Sequence, residues 1–192
     1  CIYLLLFGNF LLSRKINKHT TILLFTIYYL QNYNNKIQMT KLKEGDKAPV
    51  FAGRDQNGTK ISLSDYKGKK LVLYFYSEAD SPTCTIESCN LRDNYSLLKK
   101  NGFEVLGVSP DDEKKQKKFE VKYKLPFPLI ADTSHDVLEK YGVWDQKKLF
   151  GREYMGVLRT TFVIDEKGVI NKVFTRPKNK AHAQEILTAM KK

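Results

Sequence analysis

A run of six consecutive apolar and aromatic residues, 71–76, most constrains the fold of this chain. An unbroken apolar run of this length is typical of a strand that a sheet buries on both faces. Ser81 and Pro82 follow after a short loop and predict the start of a helix, because proline is favoured in the first helical turn. The sequence therefore predicts a central strand that leads directly into a helix.

The spacing of side chains along that helix predicts which of its faces points to the core. Positions three or four residues apart lie on one side of a helix. On this face stand Cys84, Ser88, Leu91, Tyr95 and Leu98. An Asn-Gly pair at 101–102 predicts the end of the helix.

The remaining elements alternate between strands and helices. Asn57 and Gly58 predict a hairpin turn, with Ile61 and Leu63 on one face of the return strand. Downstream, we expect a strand at 103–108, a lysine-rich surface helix at 111–123 and a strand-helix unit at 127–141. A loop holding Trp144 and Tyr154 should follow, then strands at 161–164 and 169–174 around a turn, and a final amphipathic helix. This order predicts one α/β domain with a partly antiparallel sheet.

The first 38 residues differ in composition from the rest, since they contain no acidic residue and many Ile, Leu, Asn, Lys, Tyr and Phe residues. The apolar runs 1–12 and 20–30 are each shorter than the roughly 20 residues that span a bilayer. We expect 1–38 to be a non-native upstream translation or a disordered leader, and the domain to occupy 39–192 from Met39. A genuine targeting segment is the alternative, and it would imply an organelle.

Charge excludes some function classes. Residues 39–192 hold 29 basic and 21 acidic residues, a net charge of +8. The lysines are spread along the chain without the interleaved aromatic residues of a single-strand binder, so we expect a solvated basic surface and no nucleic acid. His19, His135 and His182 stand singly, so no metal site is expected.

Cysteine usage points to redox chemistry. Apart from Cys1, the chain contains only Cys84 and Cys89, too few for the disulfide framework of a small secreted protein. A reactive pair in a reducing compartment fits better, which favours the cytoplasm.

The predicted position of Cys84 favours a thiolate. In the first helical turn, unpaired backbone N–H groups and the helix dipole stabilise an anion, and the thiolate is the nucleophilic form of cysteine. The nearby carboxylates of Asp80 and Glu87 oppose ionisation, so we expect an additional cation, for which Arg159 is the candidate. The alternative is that Cys84 is a small buried apolar residue.

Helix geometry constrains a bond between the two cysteines. Five residues along an ideal helix place the Cα atoms of Cys84 and Cys89 about 9 Å apart, beyond the roughly 7 Å limit for a disulfide. A disulfide between them therefore requires the first helical turns to unwind, so oxidation would act as a conformational switch.

The segment 81–93, SPTCTIESCNLRD, resembles the active-site region of the peroxiredoxin Q or bacterioferritin comigratory protein subfamily. Further matching segments are 45–49, 72–76, 106–110, 154–156 and 159–165. The resemblance covers essentially all of 39–192. It implies an atypical 2-Cys peroxiredoxin with a thioredoxin-like fold, a central mixed sheet flanked by helices, and an N-terminal hairpin. It also implies reduction of hydrogen peroxide or organic hydroperoxides, recycling by thioredoxin or a similar dithiol, a monomer or weak homodimer, and no metal or organic cofactor.

Carried over residue by residue, the resemblance gives Cys84 the peroxidatic role and Cys89 the resolving role. It gives Arg159 and Ser81 the task of positioning the peroxide. Two positions depart from the family pattern, because Ser77 stands where proline is common and Ser81 where threonine is common. The hydroxyl group survives at 81, whereas the loss of proline at 77 is expected to loosen the loop that shields the thiolate.

Two other functions compete with the peroxidase. A thiol/disulfide exchange protein would act on other proteins without peroxide, although it would more naturally use a C-x-x-C motif. A holdase chaperone would use the basic and apolar surface and would keep its activity in Cys84→Ser. Only a peroxidase explains the combination of Ser81, Cys84 and Arg159.

Overall fold

A computed structural model describes residues 40–149 and 152–191 of the chain. The predicted leader, 1–38, lies outside the described residues, as does Met39. The strands are β1 (Ala52–Arg54), β2 (Lys60–Ser62), β3 (Lys70–Phe75), β4 (Phe103–Ser109), β5 (Leu129–Ala131), β6 (Trp144–Leu149), β7 (Arg152–Val157), β8 (Thr160–Ile164) and β9 (Ile170–Phe174). The helices are α1 (Pro82–Asp93), α2 (Tyr95–Lys100), α3 (Glu113–Tyr123), α4 (Asp136–Lys140) and α5 (His182–Ala189), with a 3-10 helix at Leu63–Tyr66.

A five-stranded mixed sheet in the order β5-β4-β3-β8-β9 forms the centre of the domain. The strand predicted from the run 71–76 is β3, and it is central as expected, parallel to β4 and antiparallel to β8. Its C-terminal residue, Phe75, pairs with Thr160 at the beginning of β8. The end of β3 and the start of β8 therefore meet at one edge of the sheet, beside the loop that leads into α1.

Apolar side chains cover the sheet on both faces, which explains why β3 contains no polar alternation. On one face, Val72 and Tyr74 of β3 pack in a cluster with residues of α1, α2, α3 and α5. On the other face, Leu71, Leu73 and Phe75 pack with α4 and the segment around the N-terminal hairpin. The predicted helix-covered α/β arrangement is confirmed.

Gly107 of β4 allows α1 to dock on this sheet. A Cβ atom at Gly107 would lie 2.7 Å from Leu129 and 2.9 Å from the Tyr74 ring, so a larger residue would displace Tyr74. The Tyr74 hydroxyl is hydrogen-bonded to Ser88 Oγ of α1 at 3.0 Å. The stripe that begins at Cys84 faces the core as predicted, with Cys84 and Leu91 fully buried.

The structure corrects three local predictions. Residues 144–157, expected to form a loop, contain the antiparallel pair β6 and β7, with Trp144 opposite Val157. The helix expected to run to 101 is broken at Asn94, whose side-chain amide donates to the Asn90 carbonyl oxygen at 2.9 Å. Leu63, expected on the hairpin's return strand, begins the 3-10 helix instead.

Among residues 40–149 and 152–191, no helix combines the length and apolar character needed to cross a bilayer.

Candidate active site

Cys84 lies at the third position of α1, close to where the central strand ends. Ser81 is the N-cap with extended backbone angles, Pro82 is the first helical residue, and the Thr85 N–H donates to the Ser81 carbonyl oxygen at 2.9 Å. The backbone N–H groups of this first turn have no partner within the helix, so they favour an anion. The Cys84 side chain is fully buried, so its environment and not bulk water determines its ionisation.

Arg159 reaches Cys84 although 75 residues separate them in the chain. It immediately precedes β8, whose first residue pairs with the last residue of β3. The Arg159 Nη2 group donates to the Cys84 sulfur at 3.1 Å. The Nη1 group of the same guanidinium forms an ion pair with Glu87. The cation predicted from sequence is therefore in contact with the thiol.

The surroundings of Cys84 shift its ionisation towards the thiolate. Burial alone raises the pKa of the thiol, but the Ser81 hydroxyl, the Arg159 charge and the Glu78 backbone lower it, and the net pKa is below the ordinary 9.0. The Ser81 hydroxyl donates to the Glu78 carbonyl oxygen at 3.0 Å. Cys84 therefore has the features of a reactive thiol and not those of an inert apolar residue.

Ser77 makes a contact with the thiol that the sequence did not indicate. Its hydroxyl lies 3.6 Å from the Cys84 sulfur. The sequence marked this position only as a missing proline. A serine here therefore adds a polar group next to the sulfur in the loop between β3 and α1.

Glu87 is fully buried one helical turn after Cys84. Burial raises its pKa to about 7, although the Arg159 charge and hydrogen bond act to lower it. Its Oε1 atom has no hydrogen-bond partner among the described residues. Sequence reasoning expected Glu87 and Asp80 to oppose thiol ionisation. In the structure Arg159 pairs with Glu87 and Lys122 with Asp80, and neither carboxylate is among the main influences on the pKa of Cys84.

Cys89 lies on α1 and is half-buried, and both it and Cys84 are free thiols. Burial raises the pKa of the Cys89 thiol above 9.0, opposite in direction to Cys84. Because α1 is continuous from Pro82 to Asp93, the two cysteines are held at helical spacing, about 9 Å between Cα atoms. The structure thus holds one thiol of lowered pKa and one of raised pKa too far apart to bond.

Lys147 of β6 is a second cation in the electrostatic environment of the site. Burial and the Arg159 charge lower the pKa of Lys147, whereas the Cys84 thiolate raises it. Its ammonium donates to the Val157 carbonyl oxygen across the hairpin at 3.0 Å. No pattern in the sequence indicates Lys147, because the sequence predicts a loop for this segment. Within the described part of the chain, no cluster of three His, Cys, Asp or Glu side chains could hold a metal ion.

In this α/β domain, a cysteine of lowered pKa lies at the start of a helix and in contact with an arginine. These are the features of a thiol-dependent peroxidase. The model of the AhpC/TSA family matches residues 44–173. A putative peroxiredoxin bcp of Coxiella burnetii is 46% identical over 146 residues, which cover 76% of this chain and 97% of that protein. Peroxiredoxin Bcp of Escherichia coli K12 is 42% identical over 153 residues, covering 80% and 98%. The chain therefore belongs to the AhpC/TSA family and, within it, to the Bcp peroxiredoxin subfamily.

Solved structures agree with this assignment. A mutant of Xylella fastidiosa PrxQ superposes with a TM-score of 0.75 at 27% identity, covering 80% of this chain and 98% of its own. Peroxidoxin BcpB from Mycobacterium tuberculosis gives a TM-score of 0.69 at 34% identity, covering 77% and 96%. The thioredoxin-like fold implied by the sequence resemblance is confirmed. As a peroxiredoxin, the chain reduces a peroxide at the expense of a thiol reductant.

Proposed function

We propose that Cys84 is the peroxidatic cysteine, Cys89 the resolving cysteine, and Arg159 and Ser81 the residues that position the peroxide. One observation carries this assignment, the 3.1 Å contact between Arg159 Nη2 and the Cys84 sulfur. Of the two cysteines, only Cys84 has its pKa lowered, and only Cys84 lies at the helix start. The thiolate is the form that attacks a peroxide.

In the oxidation step, the Cys84 thiolate attacks one oxygen of ROOH. The S–O bond forms as the O–O bond breaks, and the departing alkoxide or hydroxide takes up a proton to give ROH or water. Arg159 can donate both to the sulfur and to the polarised O–O bond, stabilising the charge that moves between them. The oxygen of Ser81, which donates to Glu78, retains lone pairs that can accept the peroxide O–H. Cys84 is left as a sulfenic acid.

In the resolving step, Cys89 attacks the sulfenic sulfur of Cys84. An S–S bond forms, and the hydroxyl group leaves as water with the proton of the Cys89 thiol. The intact helix prevents this reaction, so the first turns of α1 must unwind before it occurs.

We propose thioredoxin, or a similar dithiol protein, as the reductant of this disulfide, by thiol-disulfide exchange. The proposed substrates are hydrogen peroxide and organic hydroperoxides. An alkyl peroxide reduction activity is named for the Xanthomonas campestris bacterioferritin comigratory protein, which matches this chain with a TM-score of 0.71 at 27% identity.

We also propose a cytoplasmic monomer. An intramolecular disulfide between Cys84 and Cys89 needs no second copy of the chain, and the small number of cysteines suits a reducing compartment. Sedimentation of the reduced and oxidised protein tests the monomer, and fractionation of the source cell tests the compartment. A stable dimer in both redox states would contradict the first, and an organellar location the second.

The assignment of the cysteines is tested by mass spectrometry of the full chain after one equivalent of peroxide, with and without a sulfenic-acid trap. We expect an intramolecular Cys84–Cys89 disulfide in the wild type and a trapped sulfenic acid at Cys84 in Cys89→Ser. Cys84→Ser should not consume peroxide with excess thioredoxin. Peroxide consumption that persists in Cys84→Ser would contradict the assignment and favour another function.

A further inference from the structure

The C-terminal end of α3 contacts the chain on both sides of the cysteine pair. Before Cys84, the Asp80 carboxylate accepts hydrogen bonds from Lys122 Nζ at 2.7 and 2.9 Å and from the Tyr123 hydroxyl at 2.6 Å. After Cys89, the Arg92 guanidinium donates to the Tyr123 carbonyl oxygen at 2.7 Å. Two adjacent residues of α3 thus hold both ends of the segment that must rearrange for a disulfide to form.

The contact at Asp80 differs in character from the contacts after Cys89. Asp80 and Lys122 are exposed, and their side chains join the loop to α3, as do the side chains of Glu78 and Lys115 at 2.8 Å. In contrast, the Asn90 side chain forms two hydrogen bonds of 2.9 Å with the segment that begins α5, accepting from Ala183 N–H and donating to the Lys180 carbonyl oxygen. The end of α1 is therefore anchored on backbone groups. The loop before its beginning is joined to α3 by two salt bridges between side chains.

The backbone at Asp80 shows what this ion pair holds in place. Asp80 has φ of 66°, a left-handed conformation that is uncommon outside glycine and for which aspartate and asparagine are the most tolerant alternatives. Such a conformation persists only where its surroundings fix it. The three hydrogen bonds to the carboxylate supply that fixation, four residues before Cys84.

From these contacts we infer that Asp80, Lys122 and Tyr123 form a latch that controls how readily α1 unwinds, and so how fast Cys89 resolves oxidised Cys84. This inference rests on the proposed roles of the two cysteines. Asp80, Lys122 and Tyr123 are positioning residues, because they act on the loop and not on the peroxide. The anchors at Asn90 and Arg92 confine the rearrangement to the segment between Asp80 and Cys89.

The latch would decide between two fates of the Cys84 sulfenic acid. When the helix opens, Cys84–SOH and Cys89–SH give the disulfide and water. While it stays closed, a second ROOH transfers an oxygen atom to Cys84–SOH, giving the sulfinic acid and ROH. A stronger latch therefore favours the sulfinic acid, and a weaker latch favours the disulfide.

Two variants with opposite charge changes test the latch. Asp80→Asn removes a negative charge but tolerates the left-handed backbone, and Lys122→Gln removes a positive charge. If the charges acted on Cys84 only through their electrostatic field, the two variants would change the rate of disulfide formation in opposite directions. Loss of the latch changes that rate in the same direction in both variants. Lys118→Gln is the matched control, because Lys118 is exposed on the same helix.

We expect Asp80→Asn and Lys122→Gln each to speed disulfide formation by roughly two- to fivefold, the range of an exposed ion pair. The sulfinic fraction at high peroxide should fall accordingly, while the rate of the first oxidation of Cys84 stays unchanged. The double variant should match the single variants, and added salt should speed resolution more in the wild type than in the double variant, which keeps the Glu78–Lys115 pair. Lys118→Gln should behave as the wild type.

The possible outcomes separate the latch from the proposed function. If no Cys84–Cys89 disulfide forms in the wild type, the roles of the cysteines are wrong. If the disulfide forms but Asp80→Asn and Lys122→Gln resolve at the wild-type rate, or shift in opposite directions, the latch alone is wrong. Lys122→Gln leaves the strained residue untouched, so it remains informative if Asp80→Asn fails to fold.

Discussion

The guanidinium of Arg159 joins the Cys84 sulfur, at 3.1 Å, to the buried carboxylate of Glu87. The planar fork of arginine allows this double contact, since each terminal nitrogen serves a different partner. Glu87 therefore fixes the orientation of the group that acidifies the thiol.

We expect Arg159→Lys to slow the reaction of Cys84 with peroxide by roughly 10²–10³-fold, the usual cost of losing one donor to a developing anion. A lysine ammonium keeps the charge but cannot contact Glu87 and the sulfur as a planar fork does. Single-turnover kinetics of Cys84 oxidation measure this loss. Arg176→Lys, at an exposed position, is the matched control and should react at the wild-type rate.

For Ser81, we expect the hydroxyl group and not the residue type to matter. Ser81→Ala should reduce kcat/KM for peroxide by roughly 2- to 12-fold, because one hydrogen bond to the peroxide, worth about 0.5–1.5 kcal/mol, is lost. Ser81→Thr should retain most of the activity. Equal losses in both variants would show that the side-chain volume, and not the hydroxyl, determines the rate.

Glu87 should make the stability of the reduced protein depend on pH. Its pKa is raised from 4.5 to about 7, so the folded state binds this proton more tightly than the unfolded state. This tighter proton binding stabilises the folded state fully below pH 4.5. The stabilisation is lost as the pH rises to about 7, so the free energy of unfolding falls by about 3 kcal/mol in all. Urea unfolding across this range should show the decline in wild type and a flatter profile in Glu87→Gln. The exposed Glu139→Gln serves as control, and a wild-type slope in Glu87→Gln would contradict this role.

Lys147, the cation on the β6–β7 hairpin, offers a further test of what sets the pKa of Cys84. We expect Lys147→Gln to raise the pKa of Cys84 and slow its oxidation roughly two- to fivefold where the thiolate fraction limits the rate. Lys147→Arg keeps the charge and should react as the wild type. If the two variants lose activity equally, the hydrogen bond to Val157, and not the charge, accounts for the effect.

The central features of the fold and site follow from local sequence patterns. The apolar run predicted β3, and Ser81-Pro82 predicted the start of α1, so Cys84 was placed at a helix start without knowledge of the fold. The contact with Arg159 was expected from the need for a cation and from the family resemblance. No local pattern could have shown it, because strand pairing between β3 and β8 brings the two residues together.

The features that sequence reasoning missed depend on contacts distant in the chain. Residues 144–149, WDQKKL, lack the alternation of a half-buried strand, and β6 forms through its pairing with β7. The spacing of apolar residues along α1 continues unchanged into α2, so the sequence pattern does not reveal the break at Asn94. From the sequence alone, Asp80 is expected to oppose thiol ionisation, since its partners Lys122 and Tyr123 lie more than 40 residues away.

The most direct test of the account is titration of the Cys84 thiolate by its ultraviolet absorbance in the reduced Cys1→Ser, Cys89→Ser protein, where Cys84 is the one cysteine left of the three in the sequence. We expect a pKa below the ordinary 9.0, shifted upward in the Arg159→Lys variant of the same protein. A pKa at or above 9.0 that does not respond to Arg159→Lys would contradict the claim that this helix start and guanidinium activate the sulfur.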